Sequence, residues 1–373
     1  MAHLGRCATA MLPRRRAKPG LLRRVYNKPT MKLIVQIPAL NERETIGTVI
    51  AAIPRTIPGI SLVEVLIIDD GCTDDTGAVA LRAGADHVVR HTANKGLATA
   101  YQTGVDTALR LGADILVNTD ADNQYPGDEI PRLVAPIVAG HADIVVGDRQ
   151  VQQLEHFSPL KKALQHVGSS VVRWASETDV PDTVSGFRAL SREAALRTFV
   201  TTDFSYTVEA LIQAGKRGLT VVAVPIRTNL VARPSRLHRG NWNFIKHQAA
   251  IIARTYSTYE PLKVFSYIAT ALFVPGALFL LRWAYVYVAR NFGLVASNDQ
   301  SLFVGNILVV MALITFLIGL LADLVGGVRR VQQEILYRVR TMQVEDEAWR
   351  RSANTRLDRL EHTLDHEETP QGG

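Results

Sequence analysis

Two long apolar stretches, residues 264–281 and 302–322, constrain this chain more than any other feature. Each is close to the about 20 residues a helix needs to cross the hydrocarbon of a bilayer. The first continues past Arg282 to Ala289. Such a pair predicts a membrane hairpin within residues 263–326, with spans at about 264–288 and 302–324. Pro275 falls inside the first span and predicts a kink, which neighbouring groups tolerate in a bilayer. Arg282 and Asp323 fall near span ends, where snorkelling accounts for them. The connector at 290–301 is short and poor in cations, whereas Lys263 precedes the first span and Arg329, Arg330, Arg338 and Arg340 follow the second. Cytoplasmic flanks accumulate Lys and Arg, so both termini and everything ahead of the hairpin are expected on the cytoplasmic side.

Ahead of the hairpin, residues 31–240 alternate apolar runs with helical stretches. The runs are 34–35, 65–68, 87–89, 115–117, 144–146 and 219–224. That alternation predicts a mostly parallel sheet covered on both faces. A helix over 97–111 would pack on it through Ala100, Val105 and Leu109.

Three of these strand ends carry chemistry. Ile115-Leu116-Val117 leads into Asp120-Ala121-Asp122-Asn123-Gln124, two carboxylates and an amide on one turn. Hard oxygen ligands of this kind suit Mg²⁺ or Mn²⁺, which takes one or two protein carboxylates and fills its other positions with water and substrate phosphates. Solvated loops carry the same pattern, so the neighbours decide. Ile67-Ile68 runs into Asp69-Asp70-Gly71, with Thr73-Asp74-Asp75-Thr76 opening a helix. In open α/β sheets ligands bind beyond the carboxyl ends of the strands, where a carboxylate accepts hydrogen bonds from a base or ribose. Helix capping by Thr73 or Asp74 is compatible with that reading. The first strand stops at Pro38 in Pro38-Ala39-Leu40-Asn41-Glu42, and Asn41 is expected to cap a helix running towards Ile53. No glycine follows this strand before Gly47, which argues against a dinucleotide-binding dehydrogenase and a sugar nucleotidyltransferase. Phosphate charge would then be met by metal and basic residues.

With Asn94-Lys95-Gly96 added, these motifs in this order resemble the family 2 glycosyltransferases of GT-A fold. The longer run Asp120-Ala121-Asp122-Asn123-Gln124-Tyr125-Pro126 resembles the polyprenyl-phosphate glycosyltransferases of the dolichol-phosphate mannosyltransferase type. So do Gly147-Asp148-Arg149, Ser185-Gly186-Phe187-Arg188 and Arg233-Pro234-Ser235-Arg236. The resemblance covers residues 31–326 and departs at Cys72, where the family has serine and a thiol is the weaker hydrogen-bond partner. It implies an α/β GT-A (Rossmann-like, mostly parallel sheet) catalytic domain followed by a two-helix transmembrane hairpin and a C-terminal helix. It further implies a membrane-bound inverting enzyme moving sugar from a UDP- or GDP-linked nucleotide-sugar to undecaprenyl or dolichyl phosphate at the cytoplasmic face, in a bacterial inner membrane. On this resemblance Pro38, Asn41, Glu42, Asp69, Asp70, Lys95, Gly96 and Asp120 would bind the donor. Asp120, Asp122 and Gln124 would hold Mg²⁺ or Mn²⁺. Arg149, Ser185, Arg188, Arg233, Ser235 and Arg236 would meet the acceptor phosphate, with Asp122, Arg149 and Arg188 catalytic. Planar guanidinium forks bind phosphate oxygens well. Surface charge attracting anionic lipid is the alternative for Arg236 and Arg239.

The acceptor decides whether a base is required. A sugar hydroxyl must lose its proton during attack, whereas a phosphate monoester with a second pKa of about 6 is already an anion. Processive hydroxyl-transferring synthases of this superfamily carry Gln-x-x-Arg-Trp; here Arg173-Trp174 has Ser170 where that pattern requires glutamine. Two other readings stay open: transfer to a lipid hydroxyl such as diacylglycerol or ceramide, and a catalytically silent membrane scaffold.

The flanks add less. The chain carries a net charge of +7, and residues 1–30 hold eight Lys or Arg and no acid. The remainder is therefore near neutral, and no nucleic-acid partner is indicated. This leader reads as disordered, without the apolar core of a signal peptide; with Met31 just before the first strand, a start-site extension and a basic membrane-surface arm both stay open. Two cysteines, Cys7 and Cys72, fit a reducing compartment. Amphipathic stretches at 157–176 and 241–262 set tryptophan against cations, as helices lying on the lipid bilayer do; packing on the sheet is the alternative. In the first, the apolar positions are Leu160, Leu164, Val167, Val171 and Trp174. In 327–373, Ile335, Val339, Met342, Trp349 and Ala353 keep an approximate heptad broken at Asp346. A weak coiled coil in a homo-oligomer and a solvated single helix fit it equally.

Overall fold

The computed structural model describes residues 30–150, 169–200, 206–229, 257, 260–291 and 299–367. Residues 1–29, most of the two amphipathic stretches, 292–298 of the connector, and Arg233, Ser235 and Arg236 lie outside the described residues.

Seven strands form one sheet: β1 (Lys32–Ala39), β2 (Leu62–Asp69), β3 (His87–Arg90), β4 (Ile115–Asn118), β5 (Ile144–Asp148), β6 (Arg188–Ser191) and β7 (Val221–Pro225). Their order is β3-β2-β1-β4-β6-β5-β7, and only β6 runs antiparallel to its neighbours. The apolar runs became the parallel strands. β6 was not foreseen because it is four residues long and opens on an arginine. β1 continues through Pro38, contrary to the expected stop. Gln36 is its last residue paired with β4. Pro38 points to that same side, where β4 has ended, so its missing N–H breaks no ladder bond.

Helices cover both faces. Alternate β1 residues Leu33, Val35 and Ile37 pack with α1 (Ile46–Ala51) and α4 (Ile130–Val138) on one side, with α2 (Thr76–Arg82) beside them. Ile34, Leu66 and Ile68 pack with α3 (Leu97–Arg110), α5 (Arg192–Arg197) and α6 (Tyr206–Lys216) on the other. Each fully buried side chain of this size contributes about 1.5–3 kcal/mol. In the first amphipathic stretch, residues 169–176 are helical and bury Val172 and Ala175 against Val208 and Ile212 of α6. Val171 and Trp174 are exposed.

Two helices follow, α7 (Pro261–Asn291) and α8 (Asp299–Glu367), both long and apolar enough to be candidate membrane spans. α7 runs through Pro275 without interruption. The helices pack closely because glycine lines their contact. A Cβ on Gly305 would lie 2.8 Å from Leu280 and 3.0 Å from the Gly276 carbonyl oxygen. The expected C-terminal helix is present and continues directly from the second span, in one helix of 69 residues.

Candidate functional site

Because β1, β2 and β4 are parallel, their carboxyl ends share one edge of the sheet, and the three acidic motifs meet there. Antiparallel β6 starts at this same edge, its Arg188 paired with Asn118 of β4 and Val146 of β5. The segment preceding Arg188 therefore completes the site.

The turn after β4 is held from several sides. Asn123 has φ 62°, a left-handed conformation asparagine tolerates. The Gln124 backbone N–H donates to Asp122 Oδ1 at 3.0 Å. Thr45 Oγ1, at the entry to α1, donates to the Ala121 carbonyl at 2.7 Å. Asn229 donates through its backbone N–H to Gln124 O at 2.9 Å and through Nδ2 to Asn123 O at 3.0 Å. That last tether sits just ahead of Arg233, Ser235 and Arg236 in sequence.

Gly186 explains the motif around it. A Cβ there would lie 3.1 Å from both Asp120 carboxylate oxygens and 3.0 Å from the Tyr206 hydroxyl. Asn118, fully buried, donates from Nδ2 to Gly186 O at 2.9 Å and to the Tyr206 hydroxyl at 2.8 Å. Its Oδ1 accepts from Gln36 Nε2 at 2.9 Å. Tyr125 stacks on Phe187 with ring centroids 5.0 Å apart, and burial pushes its phenol up to about 12. These neighbours leave Asp120 half-buried. Burial, then the charge of Asp122, pushes its carboxyl up to about 7, against the pull of Arg149. The Asp122 charge thus raises the proton affinity of Asp120, and a cation between the two carboxylates would relieve that repulsion. Among the described residues no group of three or more His, Cys, Asp or Glu could hold a metal. A two-carboxylate turn fits an ion that completes its shell with water and phosphate oxygens, such as Mg²⁺ or Mn²⁺, and does not fit a closed structural zinc site.

Arg149 follows β5 on the same edge and lies within electrostatic reach of Asp120. Its guanidinium meets Asp182 through two bonds, Nε at 2.6 Å and Nη2 at 2.9 Å, which fix the planar group.

Arg188 and Ser185 differ from expectation. Arg188 is 1% exposed, and its three guanidinium nitrogens donate to the carbonyls of Ser185, Thr207 and Thr183 at 2.6 to 2.8 Å. Ser185 is fully buried as well. The expected phosphate contact has no geometric counterpart for either residue. Arg188 instead supplies donors to two carbonyls of the irregular segment ahead of β6 and to one in the first turn of α6.

The donor-side residues also divide. Pro38 is buried in β1, and Glu42 is half-buried with its N–H donating to Thr76 Oγ1 at 2.9 Å. Asn41 does not cap a helix. It has φ 54°, its Oδ1 accepts from Thr73 N at 2.8 Å, and α1 begins later, after Thr45. Asp69 accepts from Cys72 N at 2.7 Å. Asp70 is 4% exposed, with Oδ1 accepting from Lys95 N and His91 Nδ1 and Oδ2 from Gly96 N. Asp70 therefore shapes the loop carrying Lys95 and Gly96, and Lys95 is exposed at its rim. Gly71, with φ 73°, lets that loop approach: a Cβ there would lie 2.5 Å from Asn94 N. Cys72 keeps a bridging position, accepting from Asn41 N at 3.2 Å and donating to Ala39 O at 3.4 Å.

Sequence reading missed Thr45, Asn118, Asp182 and Tyr206. Asn118, an amide closing an apolar strand, carried a readable signal; the others join the site only through tertiary contact.

Residues 34–199 match the family model described as Glycosyl transferase family 2. Polyprenol monophosphomannose synthase of Mycolicibacterium smegmatis is 31% identical over 210 residues, covering 53% of this chain and 78% of that protein. Undecaprenyl-phosphate mannosyltransferase of Micrococcus luteus is 29% identical, covering 52% and 83%. Glycosyltransferase AglJ of Haloferax volcanii is 28% identical over 309 residues, covering 80% and 94%, so that match extends beyond the sheet domain. With the acidic turn, its glycine neighbour and the mostly parallel GT-A sheet in place, the chain belongs to glycosyl transferase family 2.

Proposed function

We propose that this protein transfers a sugar from a nucleotide-sugar to a polyprenyl monophosphate at the cytoplasmic face of a membrane, with inversion at the sugar carbon. The carrying observation is the Asp120–Asp122 pair, two mutually repelling carboxylates on one turn, set against Gly186 in a chain that continues into two candidate membrane spans. The names of the relatives support the lipid acceptor.

In this reading residues 31–240 form the catalytic unit and 263–326 the membrane hairpin. Base and ribose lie against Pro38, Glu42 and Asp69, beside the loop that Asp70 shapes. Asp120 and Asp122, with Gln124 beside them, hold Mg²⁺ or Mn²⁺, and Lys95 lies on the donor side. When bound, the cation supplies positive charge for the departing nucleoside diphosphate. Arg149, oriented by Asp182, faces the incoming phosphate, and Arg233, Ser235 and Arg236 join it from the segment that Asn229 tethers to the acidic turn. A phosphate monoester needs no general base, so these residues orient the nucleophile and offset its charge.

The test is transfer by the full-length protein from labelled UDP- and GDP-sugars to undecaprenyl phosphate, with Mn²⁺ or Mg²⁺ supplied and then chelated. Transfer should require the metal, and mild acid should release the sugar. Asp122→Asn should lower turnover by about 10²-fold or more, the scale of losing a preorganised electrostatic partner. Undiminished metal-dependent turnover by that variant would exclude the carboxylate as an essential ligand. An acid-stable product would point to a lipid hydroxyl instead.

A further inference from the structure

The hairpin is attached to the sheet domain at two separate places, and neither attachment is used by the chemistry above. At the start of α7, Lys216 of α6 bridges Glu260 and Glu177, both at 2.8 Å. The second attachment lies far along α8. Arg340, 9% exposed, pairs with Asp106 of α3 and donates to the carbonyls of Leu196 at 3.1 Å and Thr198 at 3.2 Å. Its guanidinium also lies 5.8 Å from the Phe199 ring centroid. One turn earlier, the Tyr337 hydroxyl donates to Glu193 of α5 at 3.0 Å, and the Arg197 guanidinium lies 4.4 Å from its ring centroid. One turn later, Val344 is buried in the core shared by α3 and α5. At 1.5 Å per residue, Arg340 lies about 27 Å beyond the end of the apolar stretch at residue 322.

Helix geometry makes this docking selective. Tyr337, Arg340 and Val344 fall on one side of α8 and face the domain. Ile335, Val339, Met342 and Trp349 fall on the opposite side and are exposed. One attachment would leave the domain free to pivot on the hairpin; two, on different helices and well separated along the span direction, remove that freedom. A lipid acceptor is confined to the bilayer, so the height and tilt of the domain above it govern how its phosphate meets the active site. A residue that fixes this height is therefore distinguishable from one that merely stabilises the fold.

We propose that the cytoplasmic run of α8 is an intramolecular clamp that, together with the Lys216–Glu260 pair, holds the catalytic domain at a fixed tilt to the bilayer, and that Arg340 is a positioning residue for delivery of the membrane-borne acceptor phosphate. The role rests on the lipid-phosphate reading above.

The test uses full-length protein in liposomes, GDP-mannose and UDP-glucose as donors, and two acceptors: membrane-embedded undecaprenyl phosphate and a water-soluble short isoprenyl phosphate. Arg340→Ala should lower transfer to the embedded acceptor at least tenfold, chiefly through its KM, while transfer to the soluble acceptor and Mn²⁺-dependent donor affinity stay within twofold. Tyr337→Phe, which removes one hydroxyl and keeps the ring over Arg197, should shift the same ratio by a smaller amount. Equal losses on both acceptors would reduce Arg340 to a stabilising contact and overturn the clamp, as would an unchanged ratio in both variants. Wild-type transfer to neither acceptor would remove the lipid-phosphate reading itself, and with it the role assigned to Arg340.

Discussion

Gly186 shows what a single residue contributes to this site. Its missing side chain is the space in which the Asp120 carboxylate lies, 3.1 Å from where a Cβ would stand. Gly186→Ala should leave the fold intact, because the displaced groups are side-chain ends. It should tilt the carboxylate by a few tenths of an ångström and weaken Mn²⁺ binding by about 10-fold or more, as changes around a metal ligand commonly do. Titration calorimetry with Mn²⁺ and a nucleoside diphosphate checks this, and unchanged affinity would mean that Asp120 does not touch the ion. The letters of the motif were readable in the sequence, but the reason for its glycine was not, since the partner carboxylate belongs to a distant turn. Cys72 makes the same point from the opposite side. As a departure from the family serine its contact was in doubt, and the fold gives it both an acceptor role towards Asn41 and a donor role towards Ala39.

At the scale of elements, the apolar runs 65–68, 115–117 and 144–146 were legible as buried parallel strands because nothing interrupts them. β6 was illegible because its first residue is Arg188, which a sequence reading assigns to ligand binding and the fold buries. The two roles make opposite predictions. Arg188→Met removes the donors to the buried carbonyls of Ser185 and Thr183, each costing about 1–3 kcal/mol, so a loss of about 2 kcal/mol or more in stability is expected. Thermal unfolding of the detergent-solubilised protein measures it. A variant that melts like wild type but binds acceptor poorly would return Arg188 to the phosphate site. α8 was half legible: its apolar part read as a span and its polar part as a separate helix. The docking of Arg340 on Asp106 could not be read because a surface arginine and a buried one look alike in sequence.

For the whole molecule, the fixed geometry of the clamp makes sense only if the sheet domain and the polar end of α8 share one side of the membrane. The charge pattern predicts that side as cytoplasmic, with Lys263 ahead of the first span, Arg338 and Arg340 beyond the second, and a cation-poor connector between them. The two native cysteines make the arrangement measurable. Cys72 is 2% exposed, and burial pushes its thiol up to about 11, so almost no thiolate is available to a maleimide near neutral pH while the protein is folded. In a Cys7→Ser background the folded protein should therefore label only after denaturation. Adding Ser297→Cys in the connector should restore labelling by a membrane-impermeant maleimide applied to the outside of intact cells. Adding Gln343→Cys, an exposed position on α8, should give labelling only once the membrane is opened. The reverse pattern would put the acidic turn on the face away from cytoplasmic nucleotide-sugars, and labelling of both positions from one side would mean that α7 and α8 do not cross as a hairpin.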